Sequence, residues 1–204
     1  MEIARAAAGL FVQRGLRATR AEDIAQAAGI APRTFYRYFA TKEEAVAPLY
    51  AAGAQRWVEA VREAPVGLPV PEALEHAIRH TLTPGLGVSA ASWEWVRTLI
   101  HLANTNPAIG KVWAEVCRVS EDMLAEVLAE RARAGTSSVT ERQDNVADRI
   151  TVTPELRFTA AVASASVRVA VESWASGQTP ASGPSGPAEL ALRNLGALRG
   201  FRWE

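Results

Sequence analysis

At 204 residues the chain is long enough to bury a proper core, and an apolar content of 49% excludes wholesale disorder. Its formal net charge of zero gives no overall field that would draw in nucleic acid or a membrane surface. The single cysteine, Cys117, excludes an internal disulfide and a cysteine-built metal cluster, and a reducing cytosol fits.

No signal peptide is expected. The most apolar long stretch, residues 158–175, carries Arg168 and Glu172 and makes a poor membrane span. Residues 1–47 hold seven Arg or Lys against five Asp or Glu, a modest excess of two that implies weak non-specific affinity for a polyanion.

Residues 2–14 predict an amphipathic helix with Ile3, Ala7, Leu10 and Phe11 on one face, closed by Gly15. Thr19 is the expected N-cap of the next helix, with Asp23 near its positive end. Ala21, Ile24, Ala25 and Ala28 fall at i, i+3, i+4 and i+7, and Gly29 ends the pattern. A third helix restarts at Pro32, a good first-turn residue. Along it Phe35 and Phe39 point one way, while Arg33, Tyr36 and Arg37 point roughly the other. Two short helices about a tight turn, one face anchored and one face basic, form the layout of a helix-turn-helix.

Thr41-Lys42-Glu43-Glu44 reads as a capping box opening a long fourth helix, with Ala45, Leu49, Gly53, Trp57 and Val61 on one stripe. Pro48 inside it predicts a kink; the alternative is an irregular turn with the regular helix starting at Pro48. Residues 65–71 form a linker no helix interior would tolerate. Beyond it helices are expected near 71–82, 89–104, 107–133, 154–176 and 187–199. A mobile loop is expected over 135–152, strand-like at most over 149–153, and a flexible connector over 177–187. Asn106-Pro107 and Thr153-Pro154 are N-cap-plus-proline starts. The expected fold is all-α.

Several of these residues together form a pattern. Phe11, Arg14-Gly15, Thr19, Ile24-Ala25, Ala28-Gly29-Ile30, Thr34, Tyr36, Tyr38-Phe39 and Lys42-Glu43 resemble the N-terminal domain of TetR-type transcriptional regulators, over about the first 47 residues. The resemblance implies a helix-turn-helix DNA-binding domain at 1–47 and a helical ligand-binding and dimerisation domain at 48–204. It also implies a homodimer that binds a palindromic operator as a repressor and lets go when a small hydrophobic or amphipathic effector binds. Such a protein is cytoplasmic and nucleoid-associated, with no enzymatic activity, no cofactor and no membrane partner.

Carried over by position, Arg33, Thr34 and Arg37 lie where the family reads bases. Tyr36, Tyr38 and the Lys42 side chain or backbone lie where it grips phosphates, with Thr19 and Arg20 near the strand. The departures are Ala31 and Pro32, which remove a polar contact and a backbone N–H, and a start at Met1 almost inside the first helix, so that the family's basic arm is either absent or outside this numbering.

In the C-terminal region Trp93, Trp95, Val96, Leu99, Trp113, Val116 and Trp174 are candidates to line an apolar pocket. Arg97, His101, Arg168 and Glu172 are candidate polar orienters, and Cys117 is a further candidate in an apolar run. The small-residue run Ala160 to Ser166, with Leu190, Leu195 and Leu198, is the expected dimer seam. Two alternatives stay open: a DNA-binding regulator with no small-molecule effector, and a metal-responsive one using Glu72, His76 and His80, which recur every fourth residue. An enzyme finds no support in G-x-S-x-G, HExxH, phosphate-loop or dinucleotide glycine patterns.

Overall fold

The computed structural model describes residues 1–86, 89, 92–136 and 151–197, and among them it holds nine α-helices and no strand. Helix α1 (Glu2–Arg14) closes at Gly15, whose φ of 82° suits glycine and whose N–H returns to the Phe11 carbonyl at 3.0 Å. Helices α2 (Ala21–Ala27) and α3 (Pro32–Tyr38) flank a turn in which Gly29 sits at φ 68°. Phe11, Ile24, Ala25 and Phe35 close the core of this head, each nearly or completely buried.

The cap of α2 differs from expectation. Arg20, not Thr19, is the N-cap residue, and the Asp23 carboxylate accepts its N–H at 2.8 Å. Thr19 turns inward instead, its hydroxyl directed at the carbonyls of Gly15 (2.9 Å) and Leu10 (3.4 Å).

The fourth helix also starts later than the capping box suggested. A 3-10 turn spans Glu43–Val46, and regular α4 runs over Ala47–Glu63 with Pro48 in its first turn. Proline has no N–H to give and its ring crowds the carbonyl four residues back, so an α-helix cannot run through from Glu43. The expected kink is absent because Pro48 lies where proline costs nothing. Thr41 still accepts the Glu44 N–H at 3.3 Å, but the Glu44 carboxylate reaches the N–H of Ala40 rather than Thr41.

The remaining helices are α5 (Val70–Leu82), α6 (Trp93–Thr105), α7 (Pro107–Thr136), α8 (Pro154–Ser176) and α9 (Pro187–Ala197). Thr153 caps α8, accepting the Leu156 N–H at 3.4 Å. Asn106 instead closes α6, its amide donating to Leu102 O at 3.1 Å. Helix α7 outlasts its predicted end, and most of the loop expected over 135–152 lies outside the described residues. Of the strand considered over 149–153, only residues 151–153 are described, and they carry no regular structure.

Helix α4 packs along α7, and α8 packs against α6, α7 and α9. The head joins this bundle through the 3-10 turn, which packs against both α1 and α7. The 65–71 linker and the connector expected to be flexible over 177–187 are both tied down. Arg131 on α7 donates to the carbonyls of Ala64 (2.6 Å), at the end of α4, and Pro65 (2.9 Å), in the 65–71 linker. Arg97 on α6 donates to the carbonyls of Gly177 and Thr179 at 2.5 Å, and the Trp174 indole donates to Thr179 and Pro180 at 3.1 Å.

Part of the expected seam is used within the chain. Ala160, Ala163 and Ser166 are buried within the chain, and Asn194 of α9 donates to the Ser166 carbonyl at 3.0 Å. Leu190 and Leu195 pack part-buried against the same core, and Leu198 lies outside the described residues. The apolar face that α8 leaves outward carries Phe158, Val162 and Val169.

Candidate nucleic-acid interface and effector cavity

Helix α3 is seven residues long and buries one side chain in the head. Phe35 is fully buried, stacked 5.5 Å from Phe39 and edge-on to Tyr36 at 5.5 Å. With Phe35 turned inward, the 100° step of the helix turns Arg33, Tyr36 and Arg37 outward, and all three are exposed. Thr34 is half-buried. The Arg37 guanidinium lies 5.1 Å from the Tyr38 ring centre and donates to its hydroxyl at 3.3 Å, which steadies a long side chain without removing its charge. Tyr36 donates to Oε1 of Glu22 on α2 at 3.2 Å; desolvation first, then the Glu22 charge and this bond, raise its phenol above the ordinary value. Tyr38 is 61% exposed, which leaves its hydroxyl on the outer surface.

Two of the eight candidate DNA contacts are engaged within the head. Thr19 is fully buried, so its side chain meets no partner outside the chain. The Lys42 ammonium donates to the carbonyls of Leu16 (2.7 Å) and Thr19 (2.8 Å), fastening the loop between α1 and α2 to the start of the 3-10 turn. Its side chain is therefore a clamp, not a free cation. Arg20 remains exposed beside the N-terminus of α2.

A cavity of about 900 Å³ opens among α4, α6, α7 and α8. Of the sequence candidates, Trp93, Trp95, Val96, Leu99, Trp113, Cys117, Arg168 and Glu172 line it. Within its wall the Trp113 indole donates to Oε1 of Glu172 at 2.7 Å, and Arg168 donates to Oε2 at 3.3 Å. Burial pushes the Cys117 thiol up to about 12; Arg168 opposes this, while Glu172 and Glu121 add to it.

Four candidates lie elsewhere. Arg97 stacks 4.1 Å from the Trp174 ring centre and spends its N–H groups on the α8–α9 connector. Trp174 is buried beneath it, and His101 is exposed outside the cavity. Val116 borders a smaller hollow between α4 and α7. The metal alternative also fails on geometry: Glu72, His76 and His80 are exposed along α5, and among the described residues no three His, Cys, Asp or Glu are grouped to hold an ion.

The sequence did not single out Tyr50, Thr81 or Ser164 as lining residues, nor Met1 and Arg5, which bring α1 of the head to the cavity. Trp57 was visible only as part of a core stripe. Helical periodicity reports which way a residue faces and is silent on whether a void lies there.

The sequence pattern described as bacterial regulatory proteins, tetR family, matches residues 3–47. The head of the chain, residues 3–47, thus matches the TetR family. Among curated TetR-type relatives, the transcriptional regulator TcmR of Streptomyces glaucescens is 32% identical over 138 residues, 64% of this chain and 58% of that protein. The repressor KstR2 of Mycobacterium tuberculosis is 51% identical over 45 residues, 22% of each chain. The matches thus span less than two thirds of these relatives' length. The Thermus thermophilus FadR repressor, solved with lauroyl-CoA, superposes with a TM-score of 0.57 at 23% identity, covering 100% of this chain and 95% of that one. A TetR-type protein of Syntrophomonas wolfei gives 0.58 at 17% identity, covering 97% and 91%. These likenesses show a shared fold, a helix-turn-helix head on a helical C-terminal bundle.

Proposed function

We propose that this chain is a TetR-family transcriptional repressor that binds a palindromic operator as a homodimer and releases it when a small hydrophobic or amphipathic effector enters the cavity. The observation that carries the reading is the arrangement of α3: Phe35 buried on one side, Arg33 and Arg37 exposed on the other. A guanidinium fork matches the O6 and N7 acceptors of guanine in the major groove, worth about 1–3 kcal/mol of discrimination per base. Tyr36, Tyr38 and Arg20 stand where they could fix the register on phosphate. Phe158, Val162 and Val169 on α8 give a second copy an apolar face to cover.

Effector control is favoured over a regulator without a ligand because the cavity has walls from both parts of the chain. Met1 precedes α1 and Arg5 lies within it, while Trp93, Trp113 and Glu172 belong to the bundle. An occupant that prefers one relative position of those walls shifts the head, and only such a preference can move the equilibrium. Among the described residues no helix is long and apolar enough to cross a membrane, consistent with action on DNA in the cytoplasm at the nucleoid.

The test is a mobility-shift titration of Arg37→Ala on operator and on random duplex. Specific affinity should fall at least about tenfold while non-specific affinity falls little. An equal fall on both duplexes, or none on either, would sink the assignment.

A further inference from the structure

Among the described residues, four buried side-chain atoms without a hydrogen-bond partner belong to residues that line one cavity: the indole nitrogens of Trp57 and Trp93, the Thr81 hydroxyl and the Ser164 hydroxyl. Trp57, Trp93 and Thr81 are each more than nine-tenths buried. The other indoles of the same region show how such a group is normally satisfied. Trp113 donates to Glu172, and Trp174 to two carbonyls. A buried donor left without an acceptor carries its full desolvation penalty, so native proteins rarely keep one. An indole nitrogen has no lone pair to offer and can only donate.

The Arg168–Glu172 pair in the wall is, by contrast, already used. Arg168 and Glu172 face each other at 3.3 Å, and Trp113 takes the remaining carboxylate oxygen. Arg118 at the rim is held by Glu115 (2.8 Å) and Asp122 (3.0 Å). Arg5 and Arg56 are exposed and remain in water. An anionic head taken in beside Glu172 and the half-buried Glu121 would lose its hydration with only the solvated Arg5 and Arg56 to meet it, which is costly. Donor-only indoles offer nothing to a cation. Much of the remaining wall is aromatic, with Tyr50, Trp57, Trp93 and Trp113 offering flat faces and edges to another ring.

We propose, on the reading that this cavity is the effector site, that its ligand is an uncharged, ring-bearing molecule whose polar atoms are hydrogen-bond acceptors of the ketone, ester or ether kind, received by the Trp57 and Trp93 indoles and the Thr81 hydroxyl. The apolar walls supply affinity; the unmet donors select for oxygen.

Three probes of nearly equal shape separate the possibilities in calorimetric titrations of the full chain: benzophenone, diphenylmethane and 4-benzoylbenzoate. Benzophenone should bind at least about tenfold more tightly than either of the others. Thr81→Val, and replacement of Trp57 or Trp93 by 3-benzothienylalanine, keep the shape and remove the donor. At least one of these should bring benzophenone down to the level of diphenylmethane, leave diphenylmethane unchanged, and raise the melting midpoint of the empty protein. Equal binding of benzophenone and diphenylmethane would overturn the selection for acceptors while leaving the cavity a binding site. Tighter binding of 4-benzoylbenzoate would overturn the uncharged class. Binding of none of the three would overturn the effector-site reading and this proposal together.

Discussion

Trp113 on α7 and Glu172 on α8 share a 2.7 Å hydrogen bond across the wall of the cavity, and the Arg168 guanidinium completes the carboxylate's partners at 3.3 Å. The bond joins two helices that would otherwise meet only through apolar contacts at this level. Its indole is part-buried, whereas the ion pair is well exposed on the Arg168 side, at 41%. The two interactions therefore differ in worth. Glu172→Gln keeps an acceptor for the indole and loses only a screened charge, so it should cost less than about 1 kcal/mol. Glu172→Leu strands the Trp113 N–H and should cost about 1–3 kcal/mol. Urea denaturation of both variants checks the ordering.

Lys42 tests a different assignment. Its ammonium holds the Leu16 and Thr19 carbonyls, so Lys42→Met should destabilise the head by about 1–3 kcal/mol, read as a loss of melting temperature. Operator affinity should fall with it, but the slope of log affinity against log salt should stay unchanged. A slope reduced by about one would instead mark Lys42 as a phosphate contact.

Cys117 gives a prediction in pH. With its thiol pushed up to about 12, it stays protonated in the folded chain at pH values where an ordinary cysteine, near 9.0, begins to ionise. Iodoacetamide at pH 8 should therefore modify it at least about a hundredfold more slowly than free cysteine, and at the ordinary rate in denaturant. The sign for stability follows. Only the unfolded chain releases this proton as pH rises past 9.0, so Cys117 favours unfolding above that pH, and Cys117→Ala should flatten the decline.

The head was legible in the sequence because its determinants are local. Gly15 and Gly29 mark turns by their positive φ, Pro32 marks a helix start, and Phe35 with Arg33 and Arg37 marks two faces of one short helix. Helix positions in the bundle were legible for the same reason, through Thr153-Pro154 and the 3.6-residue period. What escaped depends on residues distant in sequence. Lys42 and Thr19 looked available to DNA because spacing cannot show that an ammonium reaches back 23 residues to a carbonyl. Arg97 and Trp174 looked like pocket residues because an arginine among tryptophans suggests an orienter. Contacts some 80 residues away make the pair a brace for the α8–α9 connector. The small residues of α8 looked free for a partner subunit, and α9 of the same chain occupies them.

The central claim is that exposed arginines on α3 read a two-fold symmetric DNA sequence. Selection of bound duplexes from a random pool, followed by sequencing, tests it most directly. The account predicts an enriched inverted repeat whose half-sites lose their guanine preference when Arg33 or Arg37 is changed to alanine. A pool that converges on no motif, or on a motif without two-fold symmetry, would contradict it.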